Sequence, residues 1–344
     1  MLPKHLVTFY NKNISMIRVS KLLLLIVLVI SCKREGAVKL GFMVPNFELA
    51  RYEKDKIYFS AKAKELGAEV FVTNADDDEK KQYDQALELI DKGVDVLVVI
   101  SVNSNTAAAI VREAHARKVK VIAYERLIQN SDLDYFVAFN GELIGKQMAD
   151  YALKLKPEGN YVLIGGDKAD KNAITVKEGQ LNAIQASVAS GKIKIIYNVY
   201  IEDWKAENAR FEFEKVLKLS KYKPDVVLAS NDGMASGVIE VLKKNGLAGK
   251  VLVTGQDADL SACKKIVEGS QTMTVYKPLK KEGEIAAEIA VKTAKNEPTH
   301  TTSKVFNGRK EVPSVLIDPI VIDKNNIRST IIADGFHTAK EIYE

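Results

Sequence analysis

Short, almost continuously apolar runs, each followed by a polar turn or a helix-like stretch, recur along nearly the whole chain and restrict its fold more than any other feature. In order they are 37–44, 69–73, 94–100, 120–124, 135–139, 161–166, 193–197, 225–229, 250–254 and 271–275. Helical patterns occupy 58–66, 80–92, 106–117 and 143–155, and Gly67 and Gly93 stand just past the first two, where a helix favours glycine. Strands that are apolar on both faces and alternate with helices imply right-handed βαβ crossovers and parallel sheets covered on both sides. At 344 residues the chain exceeds one ordinary core, and the rhythm restarts at Tyr161. Two Rossmann-like α/β lobes, parallel sheets flanked by helices, are the economical solution.

The polar clusters sit at the ends of these runs. Ser230-Asn231-Asp232 follows 225–229, Gly255-Gln256-Asp257-Ala258-Asp259-Leu260 follows 250–254, and Tyr276-Lys277-Pro278 follows 271–275. In open α/β sheets ligands bind beyond the carboxyl ends of the strands. Directional donors and acceptors gathered there suit a small polyhydroxylated ligand. Gly165-Gly166-Asp167 lacks the spacing of a dinucleotide fingerprint, and no phosphate-binding P-loop is present. His5, His115, His300 and His337 have no metal-ligand spacing; His115 reads as solvated and His337 as structural. Asp257 and Asp259 are two apart on one segment and need not share a site. The pattern describes a binding site without cofactor or metal, not a catalytic centre.

Fifty basic and 45 acidic residues leave a net charge of only +5, and the two signs are interspersed without a basic stripe. That excludes a nucleic-acid footprint. Of the two cysteines, Cys263 lies in a helical stretch and reads as a buried small residue. Cys32 ends an N-terminal segment built of Ile17-Arg18-Val19-Ser20-Lys21, an apolar run at 22–30, and Ser31. A basic head and a short apolar region describe a secretory signal, well below the ~20 residues that span a bilayer. Val29-Ile30-Ser31-Cys32 resembles a bacterial lipobox, whose cysteine becomes the lipidated first residue; a plain cleaved signal is the alternative. Residues 1–32 are therefore the signal segment, and 1–15 read as an over-extended start.

At Gly255-Gln256-Asp257-Ala258-Asp259-Leu260 and Gln271-Thr272-Met273-Thr274-Val275-Tyr276-Lys277-Pro278 the chain resembles the D-xylose-binding proteins of bacterial ABC importers, a group of type I periplasmic sugar-binding proteins. Ala50-Arg51-Tyr52-Glu53-Lys54-Asp55, Ala123-Tyr124-Glu125-Arg126, Ser230-Asn231-Asp232, Val312-Pro313-Ser314 and Asp334-Gly335-Phe336-His337 extend the likeness over about 38–337. The resemblance implies the type I periplasmic binding protein fold: two lobes joined by a three-segment hinge that closes on a ligand. Crossovers would fall at 140–143, 273–276 and 301–306. The first lobe would be 37–141 plus 276–304, and the second 142–275 plus 305–340.

The same resemblance implies that Arg51, Arg126, Asn231, Asp257 and Lys277 hydrogen-bond a sugar. Bonds to charged partners contribute roughly 1.5–3 kcal/mol each. Asp257 and Lys277 could also neutralise each other, because isolated charges are costly to desolvate. Trp204, the only tryptophan, and Tyr52, where the family usually has Trp, would sandwich the sugar, one ring from each lobe. Buried packing is the alternative for both rings. Asn172 follows the strand at 161–166 and joins the set, as does Glu125 after 120–124. Asp232 reads equally as a ligand contact and as the N-cap of the helix that follows. Three departures bear on which sugar fits: Lys171 stands where Asn is usual, Glu125 replaces Asp, and Asn140-Gly141 replaces Asp-Asn.

These features describe a monomeric, lipid-anchored receptor facing the periplasm or cell exterior, which captures D-xylose or a related pentose for ABC permease subunits. A sugar sensor signalling to a membrane histidine kinase is the alternative. An enzyme is disfavoured, and a repressor would need a helix-turn-helix where the signal segment stands.

Overall fold

The computed structural model describes residues 36–47, 50–168 and 170–344; the signal, the lipobox and Cys32 lie outside them. In chain order the first elements are β1 (Val38–Val44), α1 (Ala50–Glu65), β2 (Ala68–Asn74), α2 (Glu79–Asp91), β3 (Val96–Val99), α3 (Ala108–Ala116), β4 (Lys120–Tyr124) and β5 (Tyr135–Phe139). Then follow α4 (Gly141–Leu155), β6 (Gly159–Gly165), α5 (Lys171–Ala189), β7 (Ile193–Tyr200), α6 (Ala206–Leu219), β8 (Val226–Ala229), α7 (Asp232–Lys244), β9 (Leu252–Val253) and α8 (Leu260–Glu268). The chain finishes with β10 (Thr274–Tyr276), α9 (Leu279–Ala294), β11 (Ser303–Phe306), β12 (Glu311–Ile317), β13 (Ile320–Ile322) and α10 (Ala339–Tyr343).

Seven strands form the first sheet, in the order β11-β12-β5-β4-β3-β1-β2. Every pair is parallel except β11 with β12. Its central strands are buried on both faces, as their unbroken apolar sequences require: all four residues of β3 are fully buried. Phe59, Ala286 and Ala290 from α1 and α9 cover one face, and Leu89, Ile110 and Ala114 from α2 and α3 cover the other.

The second sheet runs β7-β6-β8-β9, all parallel. Backbone bonds between Gly255 and Val275 and between Val275 and Asp257, each 2.9 Å, carry it on to β10, which pairs antiparallel with β13. Helices α4 and α5 pack on one face, α6 and α7 on the other. Helix α4 approaches α5 so closely that a Cβ on Gly145 would stand 1.8 Å from the carbonyl oxygen of Val176. Only glycine permits that contact. Among the described residues no helix is long and apolar enough to cross a membrane.

Two sequence expectations change. Helix α1 begins at Ala50, not at Tyr58, which places Arg51 and Tyr52 in its first turn. The third crossing lies between β12 and β13, near 317–320, not at 301–306, because β12 pairs with β5 through Ser314–Phe136 to Ile317–Phe139. Residues 305–317 thus belong to the first sheet, whereas the sequence reading gave them to the second lobe. The overlooked signal was Asn307-Gly308, a hairpin turn in which Gly308 has φ +89°. The other two crossings lie near 139–141 and 276–279, where the resemblance implied 140–143 and 273–276.

Candidate functional site

All nine candidate residues stand at carboxyl ends of strands. Arg51 and Tyr52 open α1 after β1, and Glu125 and Arg126 directly follow β4. Asn172 is in the first turn of α5 after β6, Trp204 follows β7, Asn231 follows β8, Asp257 follows β9 and Lys277 follows β10. The candidate set is therefore distributed over the carboxyl-end sides of both sheets.

Arg51 is the hub of the first lobe. Its Nε donates to Asp55 at 3.2 Å, Nη1 to Glu125 at 2.7 Å and Nη2 to Glu282 at 3.3 Å. Burial would lower its pKa, but Glu125 and then Asp55 hold it well above the usual value. Asp55 also accepts from the buried Tyr124 hydroxyl at 2.8 Å. Glu125 has φ +61°, a left-handed backbone that Asp tolerates better than Glu, so the departure from Asp sits at a strained position. Arg126 Nη1 donates to the carbonyls of Ser101 at 3.1 Å and Val102 at 3.4 Å. Tyr52 is 2% exposed and packs in the first-lobe core, its ring centroid 5.8 Å from the Arg51 guanidinium.

Lys277 links the lobes. Its Nζ lies 2.7 Å from Asp257 and 3.7 Å from Glu125, the neutralisation anticipated for Asp257 and Lys277. Asp257 has φ +100°, a conformation rare outside glycine. Asn172 Nδ2 donates to the Glu125 carbonyl at 3.4 Å, a second bond across the crevice. Asp170, the N-cap of α5, contributes charge opposite Arg126.

Trp204 rests one face on Gly166: a Cβ there would stand 2.2 Å from the indole Cε2. Asn231, not Asp232, caps α7, accepting from the Met234 N–H at 2.8 Å. Its Nδ2 and the Trp204 carbonyl flank Gly233. Among the described residues no direct bond joins Trp204 or Asn231 to the charged set. Asp232 fills neither role expected of it. Fully buried, it accepts from Gln271 at 2.8 Å, from Thr274 at 2.9 Å and from the Asp259 N–H at 3.0 Å, pinning the loop that carries Asp257.

Sequence reasoning missed Asp55, Tyr124 and Glu282. Asp55 is four residues from Arg51 on α1, a spacing that brings side chains together once the helix start is known. Glu282 is 231 residues away and gave no local signal. His115 is not simply solvated; its Nε2 lies 2.7 Å from Asp134. His337 bonds the Ala258 carbonyl at 2.9 Å, and burial pushes the Cys263 thiol up to about 12, so both are structural as expected.

The sequence profile of the periplasmic binding protein domain matches residues 40–298. The chain belongs to that family. This periplasmic binding protein is 45% identical over 306 residues to a D-xylose-binding periplasmic protein of Haemophilus influenzae, covering 89% of this chain and 92% of the relative. A D-xylose-binding periplasmic protein of Escherichia coli is 42% identical over 305 residues, with the same coverage of 89% and 92%. A carbohydrate transporter solute-binding protein from Chloroflexus aurantiacus, solved in complex with D-glucose, superposes with a TM-score of 0.83 at 25% identity, covering 89% of this chain and 98% of its own. Family membership makes the fold type I and the molecule a binding protein, not an enzyme.

Proposed function

We propose that this protein captures D-xylose or a closely related pentose between its two lobes and hands it to the permease of an ABC importer. The observation that carries the reading is the chain of charged groups running from Arg51 through Glu125 and Lys277 to Asp257, which spans both lobes at the strand ends. Asp257 accepts from two hydroxyls, Arg51, Arg126 and Lys277 donate, and Asn172 and Asn231 do either. Trp204 offers an apolar face to the C–H side of the ring, while Tyr52 packs in the core beneath Arg51. Ligand contacts to both lobes favour the closed state by mass action. The two D-xylose-binding relatives support this sugar and support transport over the kinase-signalling alternative.

Family membership places the mature chain in the periplasm after export. The finer reading is that Cys32 carries a lipid that holds a monomer at the membrane. Replacing Cys32 with Ala would then release the exported protein from the membrane fraction.

The deciding experiment is thermal-shift stabilisation by xylose, ribose, arabinose, glucose, galactose and fructose, followed by calorimetry on any sugar that shifts the transition. Xylose giving the largest shift supports the reading. Silence across the whole panel overturns it.

A further inference from the structure

Glu282 has no place in the sugar contacts above, yet its carboxyl is built into the support of Arg51. It stands in the first turn of α9, five residues past Lys277, and is fully buried. Its Oε2 accepts from Arg51 Nη2 at 3.3 Å, while its Oε1, also buried, has no hydrogen-bond partner among the described residues. Asp55 takes the Nε–H and Glu125 one N–H of Nη1, so each guanidinium nitrogen is held by a different carboxyl. Three of the five N–H donors are thereby directed into the protein, and two remain for other acceptors.

Held at three points, the guanidinium has no rotation left, which is the preorganisation a ligand would otherwise supply by ordering it. The charge state follows from the neighbours. Glu282 faces Glu125, Arg51, Asp55 and Lys277, and burial, followed by repulsion from Glu125, pushes its carboxyl well above the usual range. An ionised carboxylate with one bare buried oxygen carries a heavy desolvation cost, whereas a neutral acid leaves only one bond unmade.

We propose that Glu282 is an uncharged positioning residue that fixes the Nη2 edge of Arg51 and so aims the two remaining N–H groups at the sugar. The inference rests on the sugar-binding reading. Its test compares the wild type with Glu282→Leu, Glu282→Gln and Arg51→Lys, using labelled-xylose chase for the dissociation rate, calorimetry for affinity and thermal unfolding for stability. Glu282→Leu is expected to raise the dissociation rate about tenfold with little change in association rate or melting temperature. Glu282→Gln, which keeps the acceptor without charge, should rescue affinity to within about threefold, in parallel with the wild type between about pH 6 and pH 8.

A Leu variant that releases xylose at the wild-type rate overturns the proposal, and so does a Gln variant as weak as Leu. Should Leu fail to fold, Gln decides: an affinity loss beyond about tenfold would mean the charge is needed. A wild type that binds no pentose overturns the sugar reading and this inference with it. A wild type that binds while Arg51→Lys binds equally well overturns the role of Arg51 alone, and with it that of Glu282.

Discussion

Lys277 Nζ lies 2.7 Å from Asp257 Oδ1, and this ion pair joins a hinge-crossing segment to the loop that ends β9. Burial pulls the ammonium pKa down, but Asp257 and Glu125 outweigh it, so the charge is retained. Lys277→Met should weaken xylose binding about 100-fold, because Asp257 loses its partner, Glu125 is left with its Arg51 pair and the sugar loses a donor. Stability should fall by about 1–3 kcal/mol, less than for a wholly buried pair because Asp257 keeps partial access to water. Adding Asp257→Leu should restore part of that stability without restoring binding. Urea unfolding and calorimetry of the two single variants and the double variant check it; strict additivity would deny the coupling.

Gly166 sets where the only tryptophan sits. Gly166→Ala places a methyl 2.2 Å from the indole, so Trp204 must swing away. The expected result is a shifted emission maximum and at least about tenfold weaker xylose binding, with the melting temperature lowered only slightly. Trp204→Ala should weaken binding further, with thermal stability near that of the wild type. Unchanged affinity in both variants would remove Trp204 from the site.

Glu125 predicts an acid limit. Burial pushes its carboxyl up, but Arg51, Lys277 and Arg126 together pull it below the usual glutamate value of 4.5. A carboxylate with a depressed folded-state pKa contributes stability above its unfolded value and loses it as pH falls through the folded one. The stability gap between the wild type and Glu125→Gln should therefore be full above 4.5 and close on further acidification. Denaturant midpoints along a pH series read it directly. A gap that widens in acid would reverse the assignment.

Asp232, fully buried under the loop that carries Asp257, should matter chiefly for folding. Asn at this position offers one acceptor oxygen where three donors converge, and turns an amide toward at least one of them. Asp232→Asn is expected to cost about 2 kcal/mol in chemical denaturation, chiefly by loosening the loop at 255–259. A cost near zero would mean that the network rearranges freely.

Legibility in the sequence followed the range of the interaction. Val96–Val99 and Val226–Ala229 announce buried parallel strands by composition alone, and the polar residues after them mark the crevice. The family motifs then picked out Arg51, Lys277 and Asp257. What escaped depended on distant or closely balanced choices. Asn231 and Asp232 are both good caps, and only the exact helix start decides between them. Glu282 meets Arg51 through the fold, and no local pattern foretells that. The hairpin at Asn307-Gly308, by contrast, is a local signal that the sequence carries by itself.

The placement of β12 has a consequence for biogenesis. The strand that completes the first sheet against β5 is made near the end of the chain, after every strand of the second sheet. The amino-terminal half therefore cannot finish folding as it emerges, in contrast to chains whose domains fold in the order of synthesis. Until residue 317 arrives, the edge of β5 stays open. Closure of the first sheet is thus tied to the last tenth or so of the chain, and a truncation before residue 311 would leave β5 as an edge strand.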